Sequence, residues 1–337
     1  DVTGALPKYL FNFGQDIRLV LPLYEEIIQK KYPLSLLSKN IPVQIGDDKQ
    51  IINIYQTLLP QTKIPIYLIE NKKYLSEGPI YSENGQFNEI KRFLFFSKSI
   101  LEIPWALNWH PDIYHIQDWH TATVPLFLKL DNRYIKKPKV LFTIHNLMFQ
   151  GPFNWWEVPP EKKDRGKGTP PTDLEKIKWL NFTKRAILYS DLINTVSERY
   201  AQEIITPKFG CGLNKYLKKR KNRLYGIING VDYHIFNPRF DKHIYINYGI
   251  HNLEDKIKNK VLLQKEYNLE VNRNLPLIGM ANRLTEQKGF ELILQILDKL
   301  LVLPLQIAII GSGEKSYIKT FKKVQKQYPK KFLFITP

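Results

Sequence analysis

Cysteine is almost absent from this sequence of 337 residues. Cys211 is the one cysteine, so no disulfide can form within the chain, and a reducing compartment fits the composition best. A lone thiol is more often structural than nucleophilic. No apolar run reaches the roughly 18 residues that span a bilayer. The chain opens on DVTGALPKYL without a basic-then-apolar leader, so neither membrane insertion nor export is expected.

Acidic residues are also scarce relative to basic ones. The chain has 50 Lys+Arg against 32 Asp+Glu, a formal net charge of +18. Such a charge would attract nucleic acid, anionic membranes or phosphorylated small molecules. Lysine is spread along the whole chain, however, and the densest run, KYLKKRKNR from Lys215 to Arg223, is typical of a solvated face. No nucleic-acid recognition fold is evident, and neither nucleic acid nor membrane is predicted as a partner.

The common motifs of hydrolases and NTPases are missing. There is no serine elbow, no Walker loop and no convincing pair of carboxylates. His110, His115, Asp118 and His120 lie close together in the sequence, but their spacing matches no set of metal ligands. We therefore predict no metal and no other cofactor. Cations, glycines and hydrogen-bonding side chains remain, and these suit transfer from a phosphorylated donor.

Short β-rich runs alternate with helical stretches along the first part of the chain. The helical stretches have apolar residues at helical spacing, as in Phe93, Phe96 and Ile100 and then Thr123, Leu126 and Phe127. This alternation predicts an α/β fold with a mostly parallel sheet covered on both faces. The predicted strands are 17–22, 64–70, 113–117, 139–145, 192–197 and 224–230. The segment 151–173, rich in proline, glycine and charge, predicts a long loop.

A second unit is predicted from Asn274 onward. Strands at 276–281, 306–310 and 332–336 alternate with two helices, the first with its apolar face on Phe290, Ile293, Leu294, Leu297, Leu300 and Leu301, the second at 317–328. Three strands would leave an edge and much apolar surface uncovered, so we interpret the sequence as a fragment.

Polar residues follow several predicted strands, where ligands bind in parallel sheets. Asp118 follows one strand and can cap the next helix or bind substrate. His145, Asn146 and Gln150 follow another, and either form a satisfied turn or bind a hydroxylated substrate.

Two loops of the second unit suggest a phosphate site. Arg283 and Lys288 in ANRLTEQKGF precede a helix, so they either bind phosphate oxygens with the helix amino terminus or form a solvated basic turn. Gly311 and Gly313 in IIGSGE allow close backbone approach to a ligand, although a lone G-x-G more often marks a tight turn.

Seven segments together, in order, resemble bacterial glycogen synthase and plant starch synthase. DVTGALPKYL resembles the end of that family's lysine-x-glycine-glycine opening motif, with Asp1 on its aspartate. The other segments continue the match in family order along nearly the whole chain: IKRFLFFSKSILE (90–102), PDIYHIQDWHTATVPLFLK (111–129), FTIHNLMFQGPF (142–153), DLINTVSERYAQEI (191–204), LYGIINGVDYHIFNP (224–238) and PLIGMANRLTEQKGFELI (276–293).

The resemblance implies the GT-B fold, two Rossmann-like domains facing across a cleft, with the second domain incomplete. The expected parts are an acceptor-side domain at 1–250 that lacks its first strand, a linker or helical crossover at 251–273, and the start of a nucleotide-sugar-binding domain at 274–337. The implied activity is retaining transfer of glucose from ADP-glucose to the non-reducing 4-hydroxyl end of an α-1,4-glucan. The substrates are then the partners, and the sequence leaves the oligomeric state open.

The resemblance also implies roles for individual residues. Catalytic roles fall on Asp118, His145, Arg283 and Lys288. ADP-glucose binding falls on the two cations again and on four further residues: Asp1, Asn229, Gly311 and Gly313. Apart from the resemblance, four side chains are candidate glucan contacts: Asn146 and Gln150 after a strand end, and Trp155 and Trp156, which either stack on sugar rings or anchor the long loop. His145 would shield positive charge at the anomeric carbon through its backbone carbonyl, and the two cations would offset charge on departing ADP.

The sequence departs from the family pattern at its ends. The lysine and paired glycines before Asp1 are absent, as is everything beyond Pro337, including the family's glutamate-containing donor motif, so the fragment itself is expected to be inactive. A sucrose- or trehalose-type retaining glycosyltransferase and a degenerate glucan-binding remnant are the alternatives. A bacterial cytoplasm or a plastid stroma is the expected location.

Overall fold

The structure, a computed structural model, describes residues 2–30, 32–77, 80, 86–151, 159, 161, 163–164, 166, 168 and 179–336. The chain divides into two compact units, residues 1–230 and 231–337. The domain limits predicted at 250 and 273 both fall inside the second unit. No helix in the described part of the chain is long and apolar enough to cross a membrane.

The first unit alternates helices and strands. Its strands are β1 Leu19–Pro22, β2 Ser35–Ile45, β3 Asp48–Leu58, β4 Pro65–Glu70, β5 Ile113–Gln117, β6 Lys139–Ile144, β7 Leu192–Thr195 and β8 Leu224–Gly226. Its helices are α1 Val2–Asn12, α2 Glu25–Gln29, α3 Gln86–Ile100, α4 Ile103–Leu107, α5 Val124–Leu130, α6 Phe182–Tyr189, α7 Glu198–Glu203 and α8 Asn214–Lys219. Short turns include a π-helical turn at Lys72–Ser76 and 3₁₀ turns at Trp119–Thr121 and Lys221–Arg223.

The strands of the first unit form two four-stranded sheets. One is fully parallel, in the order β5-β6-β7-β8, and the other runs β1-β4-β3-β2, with β1 parallel to β4 and the remaining pairs antiparallel. All six predicted strands are present. The β2–β3 hairpin was not predicted, because register shifts between Leu36 and Ser38 and between Ser38 and Ile41 interrupt the alternation by which a strand is recognised.

Helices α3, α5 and α6 share one apolar core with both sheets. Phe93, Phe96 and Ile100 of α3 are buried, as their spacing predicts, and so are Leu126 and Phe127 of α5. On α3 the intervening residues Leu94 and Phe95 are fully buried too, since the helix is covered around most of its circumference. This core sets the position of the parallel sheet, whose strand ends carry the polar residues described below.

A buried ion pair joins the segment before α6 to that helix. Arg185 of α6 donates through Nε and Nη2 to the two carboxylate oxygens of Asp164 at 2.9 and 2.7 Å, and both side chains are less than a tenth exposed. Asp164 also accepts from the Gly166 N–H at 2.9 Å, and Arg185 Nη1 donates to the Gly168 carbonyl at 2.7 Å. Each nitrogen of the buried guanidinium therefore has a partner in the segment predicted to be a loop.

The second unit confirms the predicted βαβαβ order. Strands β9 Leu277–Ala281, β10 Gln306–Ile310 and β11 Phe332–Ile335 form a parallel sheet in the order β11-β10-β9. Helices α9 Asp255–Glu266, α10 Phe290–Val302 and α11 Lys315–Gln327 accompany it, with a 3₁₀ turn at Glu286–Lys288. Its separate core includes Phe290, Leu297 and Leu301 of α10 against Phe321 of α11.

Candidate functional site

Two polar loops of the first unit meet where β5 and β6 end. These strands are parallel neighbours, with Gln117 opposite Thr143, so the residues that follow them lie side by side. Asp118 Oδ1 accepts a hydrogen bond from the backbone N–H of His145 at 2.9 Å. The interpretation of Asp118 as a helix cap is wrong, because its side chain makes no capping hydrogen bond to the 3₁₀ turn that follows. Its carboxylate instead holds the neighbouring strand's loop.

The backbone of Asp118 adopts an unusual conformation. Its φ of 49° and ψ of −167° lie in a region that residues with a side chain rarely adopt. Burial raises the pKa of the Asp118 carboxyl, while the backbone N–H groups of His145 and Asn146 and the charge of His145 act in the opposite direction. A half-buried carboxylate with strained backbone, bound to a loop, is a frequent feature of functional sites.

Two groups of His145 are hydrogen-bonded among the described residues, and its carbonyl oxygen is not. Its ring Nε2 lies 2.7 Å from Gln117 Oε1, and its backbone N–H is bound to Asp118. No donor to its carbonyl oxygen is found in the described part of the chain. That oxygen can therefore face an electron-poor centre, as the family resemblance implies.

The side chains of Gln150 and Asn146, both predicted to contact glucan, differ in how many of their hydrogen-bonding groups are free for a ligand. Gln150 is 1% exposed, and its amide donates to the carbonyls of Leu147 and Cys211 and accepts from Asn181. Its expected role in binding glucan is not supported by this geometry, because all of its polar groups are used within the fold. Asn146 is half-buried and its Oδ1 accepts from the Met148 N–H at 3.0 Å.

The other predicted binding residues include three that the structure does not describe and one that it does. Trp155 and Trp156, predicted to contact glucan, and Asp1, predicted to bind donor, lie outside the described residues. Asn229 is exposed near the end of the first unit.

His115 and His120 are structural in the described fold. His115 Nε2 lies 2.7 Å from Thr143 Oγ1, which donates to Asn194 Oδ1 at 2.6 Å. The His120 ring stacks on Trp119, with ring centroids 4.2 Å apart, and meets Phe93 edge-on. Among the residues that the structure describes, no group of three or more His, Cys, Asp or Glu could hold a metal.

We expect the first unit to lose stability as the pH falls from 6.5 to 4. Burial lowers the pKa of both His115 and His120 to about 4. The unfolded chain binds these protons below pH 6.5 and the folded chain resists them, at a cost of about 3 kcal/mol per histidine. Urea unfolding followed by tryptophan fluorescence reports on this unit, since the six tryptophans lie before residue 180.

His120→Phe provides the control for this prediction. Phenylalanine keeps the ring contacts with Trp119 and Phe93 but cannot take up a proton, so about half of the acid-dependent loss should disappear. Asp118 acts in the opposite direction, because a carboxyl whose pKa is raised in the folded state adds stability as the pH falls. An unfolding free energy that stays constant between pH 6.5 and 4 would contradict the assignment.

The second unit presents two cations beside a helix amino terminus. Arg283 and Lys288 are both exposed, and neither has a hydrogen-bond or ion-pair partner among the described residues. Gly289, with a φ of 75°, precedes α10 and supplies no side-chain cap. The first N–H groups of this 13-residue helix are therefore not capped by a side chain, which is a favourable arrangement for an anion.

The two glycines of the IIGSGE loop have a structural reason to be glycine. A Cβ on Gly311 would lie 2.0 Å from the Asn282 carbonyl oxygen, and one on Gly313 would lie 2.3 Å from that of Leu284. Leu284 N–H donates to the Ser312 carbonyl at 2.8 Å, and Glu314 N–H donates to the Leu284 carbonyl at 2.9 Å. These glycines let the loop at 311–314 bind the loop that carries Arg283.

The chain is similar to known proteins of one family. Residues 1–219 match a protein-family model described as the starch synthase catalytic domain. The chain is 39% identical over 344 residues to the glycogen synthase of Thermosipho africanus, covering 98% of this chain and 69% of that protein. It is 39% identical over 333 residues to the glycogen synthase of Geotalea daltonii, covering 96% of this chain and 67% of that protein.

A solved structure is similar as well. The catalytic domain of starch synthase IV from Arabidopsis thaliana, bound to ADP and acarbose, superposes with a TM-score of 0.82 at 25% identity. The superposition covers 100% of this chain and 70% of that one. The predicted GT-B class of the fold is thereby confirmed.

Proposed function

The chain belongs to the family of glycogen and starch synthases, and we propose that it transfers glucose from ADP-glucose to the non-reducing 4-hydroxyl end of an α-1,4-glucan with retention of configuration. The glucan synthase function follows from 39% identity to glycogen synthases across almost the whole chain. The observation that supports a diphosphate-bearing donor is the amino terminus of α10, which no side chain caps, with two exposed cations beside it.

Arg283 and Lys288 are proposed to bind the diphosphate of the donor. An arginine fork and a lysine point charge complement phosphate oxygens, and helix N–H groups add a fixed positive dipole. Negative charge grows on the departing ADP during transfer, so these groups stabilise the transition state more than the ground state. The Arabidopsis starch synthase was solved with ADP bound, which supports a nucleoside diphosphate as the ligand of this family.

In the first unit, the Asp118–His145 pair is proposed to serve the transferred glucose. The Asp118 carboxylate fixes the His145 backbone so that the His145 carbonyl points its partial negative charge at the anomeric carbon. In the proposed step, the acceptor 4-hydroxyl attacks that carbon on the face from which ADP leaves. The bond between the anomeric carbon and the phosphate oxygen breaks, and the leaving oxygen takes the hydroxyl proton. No step is assigned to a metal or cofactor.

Incorporation of labelled glucose into maltooligosaccharide tests this proposal. The protein expressed from its complete natural reading frame is expected to extend the oligosaccharide with ADP-glucose, at an unchanged rate in EDTA. Extension with UDP-glucose in preference to ADP-glucose would overturn the proposed donor. Binding of oligosaccharide without extension by either donor would favour the glucan-binding remnant and overturn the proposal.

The remaining partners and the location are proposed from composition. Neither nucleic acid nor membrane is proposed as a partner, because dispersed lysine accounts for the net charge. A bacterial cytoplasm or a plastid stroma is proposed as the location, in keeping with the single cysteine.

A further inference from the structure

Gln117 contacts the ring of His145 directly. It is the last residue of β5 and immediately precedes Asp118. Its Oε1 lies 2.7 Å from His145 Nε2, while the adjacent carboxylate of Asp118 binds the His145 backbone. Two successive residues of one strand end therefore hold the ring and the backbone of the same histidine.

The position of Gln117 is itself fixed. Its backbone N–H donates to Thr121 Oγ1 at 2.9 Å, and the Thr121 hydroxyl donates back to the Gln117 carbonyl at 3.0 Å. The side chain thus projects from a backbone that is held on both sides. No partner for its amide nitrogen is found in the part of the chain that the structure describes. Among these residues, His145 is therefore the one hydrogen-bond partner of the Gln117 side chain.

The chemistry of this contact selects one form of the imidazole. An amide oxygen can only accept a hydrogen bond, so the His145 nitrogen that faces it must carry a proton. A neutral ring protonated on Nε2 keeps its lone pair on Nδ1. Two titratable groups, His115 and Asp118, interact electrostatically with His145 in the described structure; neither is hydrogen-bonded to its ring.

We propose that Gln117 is a positioning residue for glucosyl transfer: it holds the His145 ring in the Nε2-protonated tautomer, which leaves Nδ1 to accept a hydrogen bond from a hydroxyl of the transferred sugar. This inference rests on the proposed function for its role in catalysis. The tautomer itself depends only on the contact between the two side chains. A partner that fixes the tautomer and orientation of a functional histidine typically contributes 10–100-fold to the function.

The first test observes the ring without any activity. Long-range ¹H–¹⁵N correlation spectra of histidine-labelled protein show which ring nitrogen carries the proton, and His145→Gln assigns the signal among the seven histidines. The expected result for His145 is protonation on Nε2. Protonation on Nδ1 would overturn the proposal, since Gln117 would then present its NH₂ group to the ring. This result stands even if the protein transfers no glucose.

Gln117→Met and Gln117→Glu extend the test. Methionine has a similar length but no acceptor, so the His145 signal should show a mixture of tautomers. Glutamate keeps the acceptor and adds a negative charge, so it should keep the Nε2 proton and favour the doubly protonated ring. Gln202→Glu is the matched control, because Gln202 is an exposed residue of α7 in the same unit. It should change neither the tautomer nor the protonation of the His145 ring.

Kinetics separate positioning from a purely structural role. In the synthase assay, Gln117→Met is expected to lower kcat at least tenfold while the KM for donor changes less than threefold. Gln117→Glu is expected to lose activity at neutral pH, because the carboxylate favours a cationic His145 ring whose Nδ1 cannot accept a hydrogen bond, and to regain activity as the pH rises. A loss that is equal at all pH values in both variants would indicate damage to the fold and overturn the proposed role. Absence of all transfer by the unmodified enzyme would instead refute the proposed function.

Discussion

Arg283→Ala is expected to lower the turnover of glucosyl transfer by about 10²–10³-fold, the usual cost of removing one preorganised group that stabilises developing charge. Lys288→Ala should have an effect in the same range. Both side chains are exposed and have no partner among the described residues, so their removal breaks no contact of the fold. The unfolding free energy should therefore change by less than about 0.5 kcal/mol. Initial rates with labelled ADP-glucose and urea unfolding measure the two quantities.

Lys319→Ala is the matched control for these variants. Lys319 is an exposed cation on α11 of the same unit and lies in the interior of its helix. Its removal lowers the net charge by the same amount, so it should leave the rate unchanged and show that general electrostatic attraction is not the cause. Calorimetric titration with ADP adds a readout that needs no turnover. Rates within threefold of the unmodified enzyme for both Arg283→Ala and Lys288→Ala would refute the diphosphate assignment.

Asp164→Ala is expected to lower the unfolding free energy of the first unit by about 3–5 kcal/mol. It would leave the Arg185 guanidinium, 2% exposed, without its carboxylate partner, and an uncompensated buried charge is costly. The remaining bond from Arg185 to the Gly168 carbonyl cannot replace two charge-assisted hydrogen bonds. Tryptophan fluorescence during urea unfolding measures the change in this unit specifically.

Two further variants distinguish burial from charge pairing. Glu203→Ala breaks the Arg199–Glu203 pair, in which the arginine is 79% exposed, and exposed pairs of this spacing contribute only about 0.3–0.5 kcal/mol. The double variant Asp164→Leu/Arg185→Met removes both buried charges together and should recover much of the stability lost in Asp164→Ala. Equal losses of unfolding free energy in Asp164→Ala and Glu203→Ala would show that the buried pair contributes no more to stability than the exposed one.

The sequence predicted the parallel core well because the signals there are local. Runs such as IYHIQ and KVLFTI became strands β5 and β6, and residues placed after them by simple counting, Asp118 and His145, are in contact. The β2–β3 hairpin escaped prediction since Asn40, with a φ of 59°, and two register shifts disturb its alternation. Local patterns do not encode such irregularities.

Side-chain roles were harder to predict than strand positions. A sequence gives the order of Gln117 and Asp118 but not the direction of their side chains, so capping stayed open for Asp118 beside substrate binding, and Gln117 received no role. Gln150 was assigned to glucan because it follows a strand end, whereas its amide makes three hydrogen bonds inside the fold. The alternation of side chains along β5 could have identified Gln117, since it lies on the same face as His115.

The backbone bonds between the loops at 282–285 and 311–314 have a consequence for motion. Leu284 is bound through both its N–H and its carbonyl to the other loop, so neither loop can open without breaking the bonds of its partner. The cations and the glycine turn therefore fluctuate as one body. Conformational freedom that folding has already removed is not lost again when a ligand binds, so if the proposed diphosphate binds here, these backbone bonds lower the entropic cost of ordering the two loops.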